Sequence, residues 1–221
     1  MRVLIIIPAF NESENICELA REIEALDYDY IIINDCSTDL TAKILDDNNL
    51  NHIDLPINLG LAAVTQVGFN YANDKNYDCA IVIDGDGQHP PKYIEKVVLK
   101  ITEGYDYVIG SRFLEKKKNW SMRMIGSRLI SFAIRLKTRR RFTDPTSGMR
   151  ATGRNTLMEF SKSMNFIAEP DALTYLLKKK LRVCEVQVDM NERDEGESYF
   201  SNPFKSIKFM FNILMSIIFI Q

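Results

Sequence analysis

The chain has 221 residues, room for one large domain or two small ones and enough to bury a sizeable core, and its 46% hydrophobic and 26% charged content is that of a globular protein, not a disordered one. A net charge of −2 argues against nucleic acid as the main partner. Four widely spaced cysteines (Cys17, Cys36, Cys79 and Cys184) form no CxxC pair, which argues against a disulfide frame or zinc ribbon and for reduced thiols in a cytosolic setting.

The chain opens on Val3 to Ile7, an apolar run that reads as a strand. It is too short for a signal peptide, and Pro8, Glu12 and Glu14 follow at once. A helical pattern runs near Glu14 to Ala25. Strands at Tyr30 to Ile33 and His52 to Leu55 then flank a helix at Leu40 to Asp47. A helix at Ala62 to Asn73, a strand at Ala80 to Ile83, a helix at Pro91 to Glu103 and a strand at Tyr107 to Ile109 complete the first half. Strands apolar throughout and separated by helices specify an α/β fold with a mostly parallel sheet covered on both faces. Ligands in such sheets sit beyond the carboxyl ends of the strands.

The second half is less regular. A helix is predicted over Trp120 to Leu136, a basic and polar loop over Arg139 to Arg150, and a helix over Glu169 to Lys180. Leu181 to Val188 alternates like a strand, and Asn191 to Tyr199 is a charged loop. Basic residues cluster at Lys116 to Lys118, Arg139 to Arg141 and Lys178 to Lys180. Each cluster is either a solvated helix end or a face turned toward anionic lipid or phosphate. Ser206 to Ile220 is strongly apolar, but its 15 residues fall short of the roughly 20 that a spanning helix needs. It is either an interfacial helix, with Phe209, Ile213, Ile217 and Ile220 on one side, or a helix folded back on the domain.

Chemistry is concentrated just past the strands. Pro8-Ala-Phe-Asn-Glu12 follows the first and Asn34-Asp-Cys-Ser-Thr-Asp39 the second. Asp84-Gly-Asp-Gly-Gln-His89 follows the strand at Ala80 to Ile83, and Gly110-Ser-Arg112 the next. With the strand continued through them, Asp84 and Asp86 project to one side, because side chains alternate with period two. Two carboxylates with the amide oxygen of Gln88 make a hard oxygen site suited to Mg2+ or Mn2+, and Gly85 and Gly87 leave room for a ligand. The plainer reading is an acidic turn before the helix at Pro91. Ser37, Thr38 and Asp39 are all good helix caps, whereas Asp35 is placed to accept the ring N–H of uracil or guanine.

The strings IPAFNE, NDCSTD, NLGLAA, DGDGQHPP, GSRF and DPTSGMR, in order from residue 2 to about residue 215, resemble the inverting family 2 glycosyltransferases. More narrowly they resemble the branch that makes polyprenyl-phosphate sugars. The resemblance implies a GT-A (Rossmann-like) fold, a nucleotide-sugar donor linked through UDP or GDP, and a polyprenyl phosphate acceptor. It implies a catalytic domain over 1–203, with a donor half (1–112) and an acceptor half (113–203). Residues 204–221 would form an amphipathic helix that meets the membrane or packs on the domain.

By match, Pro8, Phe10, Glu12, Ile33 and Asp35, with Asp84 and Gly85, line the donor pocket. Asp84, Asp86 and Gln88 hold the metal and diphosphate, and Arg112 and Arg193 contact the donor sugar or a phosphate. Arg123, Ser127 and Arg128 face the acceptor phosphate. Tyr199 stands where a related pattern has lysine, and Leu61 where many relatives have one.

Transfer to a sugar hydroxyl needs a general base, since the hydroxyl loses its proton as it attacks. The ED-type acid and QxxRW string of many family 2 enzymes are missing here, and Asp144-Pro-Thr-Ser-Gly-Met-Arg150 stands in that region. A polyprenyl phosphate is already ionised and needs only cations to position it. The expected reaction is therefore transfer to a lipid phosphate by a protein peripheral on the cytoplasmic membrane face, docked directly or through a small membrane partner. The rivals are transfer to a saccharide hydroxyl with Asp144 as base, a nucleotidyltransferase, and a non-catalytic interaction protein on the same scaffold.

Overall fold

The computed structural model describes residues 1–116, 118, 122–162, 170–191 and 210–217, with residues 122 and 123 described by backbone alone. Seven strands form one sheet: β1 (Val3–Ala9), β2 (Asp29–Asn34), β3 (His52–Asp54), β4 (Cys79–Val82), β5 (Tyr107–Ser111), β6 (Arg150–Gly153) and β7 (Val183–Gln187). Their order is β3-β2-β1-β4-β6-β5-β7. Only β6 runs against its neighbours β4 and β5; the other pairings are parallel. The helices are α1 (Ile16–Ala25), α2 (Thr41–Asp47), α3 (Gly60–Asp74), α4 (Ile94–Thr102), α5 (Met122–Thr138), α6 (Arg154–Lys162) and α7 (Ala172–Lys178).

The alternation of β1 builds a core on each face of the sheet. Leu4 and Ile6 enter one core with Val64 and Phe69 of α3, Ile130 and Ile134 of α5, Leu157 and Phe160 of α6, and Leu173 and Leu176 of α7. Val3, Ile5 and Ile7 enter the other with Ile16, Leu19 and Ile23 of α1, Leu45 of α2, and Ile94 and Val97 of α4. A strand buried on both faces has no polar side to show, which is why these strands read as continuous apolar runs.

Helix ends follow one rule. After α1, α2, α3, α4 and α7 comes a residue with positive φ: Asp27, Asn49, Asn76, Gly104 and Lys180. The next residue (Tyr28, Leu50, Tyr77, Tyr105 or Leu181) donates its N–H back to a carbonyl in the last turn, at 3.0–3.4 Å. This is the Schellman stop, which closes orphan carbonyls and tucks an apolar residue against the helix.

The sheet also fixes where ligands go. From β1 the chain moves outward to β2 and β3, then returns to β4 on the other side of β1. The crevice of such a reversal lies at the carboxyl ends of β1 and β4, where the PAFNE and DGDGQH segments emerge.

Two expectations are corrected, and one open alternative is decided. The loop expected over Arg139 to Arg150 gives way at Arg150 to β6, which is inserted between β4 and β5 and followed directly by α6. β4 ends at Val82, so Asp84 and Asp86 do not share a face by strand alternation; Gly85 and Asp86 form a turn. Of the two alternatives for the C-terminal stretch, the described segment at 210–217 fits the helix folded back on the domain, because Ile213 and Ile217 enter the core. Ser216 Oγ, which donates to Asp171 Oδ2 at 2.6 Å, fixes it to the start of α7. Phe209 and Ile220, like Trp120 and Glu169, lie outside the described residues.

Candidate active site

The loops after β1 and β2 are stitched together. Asn11, at φ 59°, donates its N–H to Ser37 Oγ at 3.0 Å, and its Oδ1 accepts the N–H of Thr38 at 2.8 Å. Glu12 N–H donates to Thr41 Oγ1 at 3.0 Å, and Asp39 Oδ1 accepts from Thr41 N–H at 2.9 Å. Asp39 thus does the capping work expected of that trio, while Ser37 and Thr38 tie the loops. Pre-tied loops lose little freedom when a ligand enters between them.

Asp35 is nearly buried, and its oxygens accept the N–H groups of Leu59 (2.7 Å) and Gly60 (2.8 Å). Its carboxylate therefore anchors the start of α3, a role its position after a buried strand did not reveal. Phe10 is exposed directly beyond β1 and Glu12 is half-buried beside it. Pro8 is buried, and Ile33 lies wholly within the core, so these two offer backbone, not side chains, to a ligand.

The DGDGQH segment sits among loops from both halves of the chain. Gly85 N–H donates to Pro8 O at 3.2 Å, and a Cβ on Gly85 would crowd that same oxygen at 2.9 Å. Gly87 adopts φ +68°, and Gln88 N–H donates to Asp86 Oδ1 at 3.0 Å, which closes the turn. Asn191 N–H donates to Gln88 O at 2.9 Å from beyond β7. The Asp84 side chain is 35% exposed and lies 3.9 Å from buried His89. Gly148 lies against both, since a Cβ there would collide with Asp84 Oδ2 and come within 3.0 Å of His89 Nε2.

That cradle is the test of whether these residues suit a divalent cation. A glycine exists there because the carboxylate fills the space a side chain would take. Asp84 and Asp86, half-buried and at the switch point, are hard oxygen donors of the type Mg2+ and Mn2+ prefer. Among the described residues no cluster of three or more His, Cys, Asp and Glu forms a closed cage. An open two-carboxylate site fits a cation that completes its shell with water and diphosphate oxygens.

The third part is basic. Arg112, just beyond β5, donates through Nε to Asp144 Oδ2 at 2.6 Å and through Nη2 to Oδ1 at 2.8 Å. The Asp144 side chain is 0% exposed. Glu185 on β7 accepts the N–H groups of Thr143 and Asp144 at 2.7 Å each, and Arg150 braces the same loop through Ser147 O and Pro145 O at 2.8 Å. A carboxylate so enclosed, with both oxygens engaged by a bidentate arginine, is a good clamp.

Beside this clamp, Lys118 Nζ donates to Ser127 Oγ at 2.8 Å, and Arg128 Nη2 donates to Lys118 O at 2.8 Å. Burial pushes the Lys118 ammonium below its usual range; Asp144 opposes this, while Arg112 and Arg128 add to it. Arg112, Lys118 and Arg128, gathered against the carboxylates of Asp144 and Glu185, leave one positive charge in excess beside Ser127 and Thr146, whose hydroxyls lie 3.1 Å apart.

Of the predicted site residues, the structure gathers Phe10, Glu12, Asp35, Asp84, Gly85, Asp86 and Gln88 at the β1–β4 crevice, and Arg112, Ser127 and Arg128 around Asp144. Arg193 and Tyr199 lie outside the described residues, as does the Arg123 side chain. Sequence reasoning missed Gly148, Glu185 and the particular role of Lys118. The triple-lysine run was the only signal for Lys118. Gly148 lay within the DPTSGMR string without a role assigned, and nothing local marked Glu185.

A family model described as "Glycosyl transferase family 2" matches residues 4–165. The chain is 30% identical over 229 residues to the undecaprenyl-phosphate 4-deoxy-4-formamido-L-arabinose transferase of Proteus mirabilis, covering 96% of this chain and 67% of that one. It is 32% identical over 220 residues to the undecaprenyl-phosphate mannosyltransferase of Micrococcus luteus, covering 91% and 88%. Glucosyl-3-phosphoglycerate synthase from Mycobacterium tuberculosis, solved with Mn2+ and UDP-glucose, superposes with a TM-score of 0.72 at 16% identity, covering 98% and 78%. That likeness establishes the shared GT-A fold. The chain is a glycosyltransferase of family 2, and its relatives lie in the polyprenyl-phosphate branch of that family.

Proposed function

We propose that this enzyme transfers a sugar from a UDP- or GDP-linked donor to a polyprenyl phosphate, with inversion and with a divalent cation bound at Asp84 and Asp86. The observation that carries the acceptor reading is the buried Arg112–Asp144 pair flanked by Lys118, Ser127 and Arg128. A phosphate oxygen attacks the anomeric carbon, forming the new C–O bond, as the bond from that carbon to the donor's β-phosphate oxygen breaks. The nucleoside diphosphate leaves with the electron pair, and no proton need move. Arg112, Lys118 and Arg128 balance the acceptor's charge, while Ser127 offers a hydroxyl and Thr146 donates its own to Asp144 Oδ1 at 3.2 Å. Asp144 being paired and enclosed speaks against the rival in which it acts as base.

At the donor end, Phe10 offers a face on which a base stacks, and the lone pairs of Asp35 not used on α3 accept a ring N–H. Asp84, Asp86 and the Gln88 amide oxygen would hold Mg2+ or Mn2+, which supplies Lewis-acid neutralisation of the diphosphate. Gly85 lets the turn that carries Asp84 and Asp86 close onto the end of β1. The proposed division is a donor half at 1–112 and an acceptor half at 113–203, with Arg193 assigned to the closing side of the donor. The crystallised synthase whose fold is shared was bound to Mn2+ and UDP-glucose, which supports this assignment of the donor end.

The test is transfer of radiolabel from UDP- and GDP-sugars with Mn2+ and undecaprenyl phosphate, followed by solvent partition. Label in the lipid fraction, lost in Asp86→Asn, is the expected result. Label that enters only a saccharide or glycolipid hydroxyl, with undecaprenyl phosphate present and untouched, overturns the acceptor reading.

A further inference from the structure

Helix α5 is apolar on two sides, and the core accounts for only one. Ile130 and Ile134 are buried in it. Ile125, Leu129, Phe132 and Leu136 are all exposed, Leu136 to 68%. At about 100° per residue these four fall within a stripe roughly 60° wide, away from the buried side. The helical segment at 210–217 lies against the same helix, since a Cβ on Gly126 would sit 2.7 Å from Met210 Sδ. It buries Ile213 and Ile217 and turns outward Phe211, 60% exposed, and Met215. Two neighbouring helices thus present six exposed apolar side chains. Monomers rarely leave such a surface without a partner.

Charge identifies the partner. Between Lys116 and Thr143 the sequence holds ten lysines and arginines and no aspartate or glutamate, in a chain whose net charge is −2. Arg135 stands one turn from the stripe on α5, and Arg139, Arg140 and Arg141 are exposed at its carboxyl end. An apolar stripe bordered by cations is the pattern of a helix lying in the interface of an anionic membrane. A protein partner for so basic a rim would need a matching acidic face around an apolar centre. A bilayer with anionic headgroups supplies both at once. Among the described residues no helix is long and apolar enough to cross a membrane.

We infer that the outward face of α5, with Phe211 and Met215 beside it, seats the enzyme on an anionic bilayer surface. This rests on the reading that the acceptor is a lipid phosphate. Ser127 and Arg128 belong to the same helix as the stripe, so docking by α5 sets the basic site at headgroup level, where the acceptor's phosphate lies.

The test is co-sedimentation of the full chain with vesicles of phosphatidylcholine alone and with about 30% phosphatidylglycerol, across a salt series. The intact protein is expected to bind the anionic vesicles and to release as salt rises. The triple variant Leu129→Ser, Phe132→Ser, Leu136→Ser should bind at least about tenfold more weakly with an unchanged melting temperature. Arg139→Gln, Arg140→Gln, Arg141→Gln should weaken binding and flatten its salt dependence. Transfer to a short-chain, water-soluble polyprenyl phosphate should be the same in the serine variant as in the intact protein.

Serine-variant binding equal to that of the intact chain overturns the proposal. So does light scattering that shows an intact dimer, a monomeric serine variant and no vesicle binding by either, since a second copy then covers the face. Vesicle binding without any sugar transfer leaves the docking surface standing and sinks the acceptor reading instead.

Discussion

At the scale of single residues, the site depends on side chains that are missing as much as on those present. Gly148 is the clearest instance. A methyl group there collides with the end of the Asp84 side chain, which can turn aside, and presses on Nε2 of buried His89 at 3.0 Å. Gly148→Ala should therefore lower stability by about 1–3 kcal/mol through overpacking while moving the carboxylate proposed to hold the cation. The expected result is a folded protein with a lowered melting temperature and at least a tenfold loss of Mn2+-dependent transfer, a loss of at least about 1.4 kcal/mol in transition-state binding. Full activity would remove Asp84 from the site.

Asp144 makes the opposite case, a charged residue whose value lies in being held. Asp144→Asn leaves Arg112 without its buried counter-charge, which costs roughly 3 kcal/mol of stability. It should weaken transfer by misplacing Arg112, yet leave the shape of the pH–rate profile as it was. Loss of the acidic limb of that profile would instead identify Asp144 as the base.

At the scale of elements, close approach of α3 to β1 is set by Gly68, where a Cβ would run into the Ile6 side chain. Gly68→Ala should cost about 1–3 kcal/mol by overpacking. Ile6→Ala should cost about 2–5 kcal/mol by opening a cavity. Because each change relieves the other, the double variant should lose less than the sum, by at least about 0.5 kcal/mol in urea denaturation. Simple additivity would mean that the helix shifts freely over the sheet.

The same elements show what the sequence could reveal. The Val3 to Ile7 strand, the helices after it and the DGDGQH turn were legible because their signals are local: apolar runs, periodicity, a tight acidic string. β6 was not legible. Its four residues, Arg150-Ala-Thr-Gly153, carry no alternation, and they become a strand only because β4 and β5 leave a gap between them. The Glu185 clamp on Thr143 and Asp144 spans 41 to 42 residues of sequence, and no pattern within β7 announces it. The motif singled out Asp86, and it lies at the switch point, but the strand geometry first used to aim it ends at Val82. Motif spacing survived where the local geometric reason did not, because the turn, not the strand, orients the carboxylates.

For the whole molecule, the candidate donor site is a knot among loops that are distant in sequence. Segments after β1, β2, β4 and β7 and the loop before β6 meet around Asp84 and Asp86. A ligand that bridges them stabilises the folded chain against unfolding as a unit, since the unfolded chain has no such site. At a nucleoside diphosphate concentration of about 100 times its dissociation constant the gain is about 2.7 kcal/mol. For a domain of this size each kcal/mol raises the melting temperature by roughly 2–4 °C. UDP or GDP with Mn2+ should therefore raise the midpoint by roughly 5–11 °C, and whichever nucleotide gives the larger shift identifies the donor base. Chelating the cation with EDTA should remove most of that shift, and Asp86→Asn should make the midpoint insensitive to EDTA. An equal shift with and without the cation would mean that the nucleotide is held by Phe10, Asp35 and the stitched loops alone, and that the carboxylates of the DGDGQH turn serve some other end.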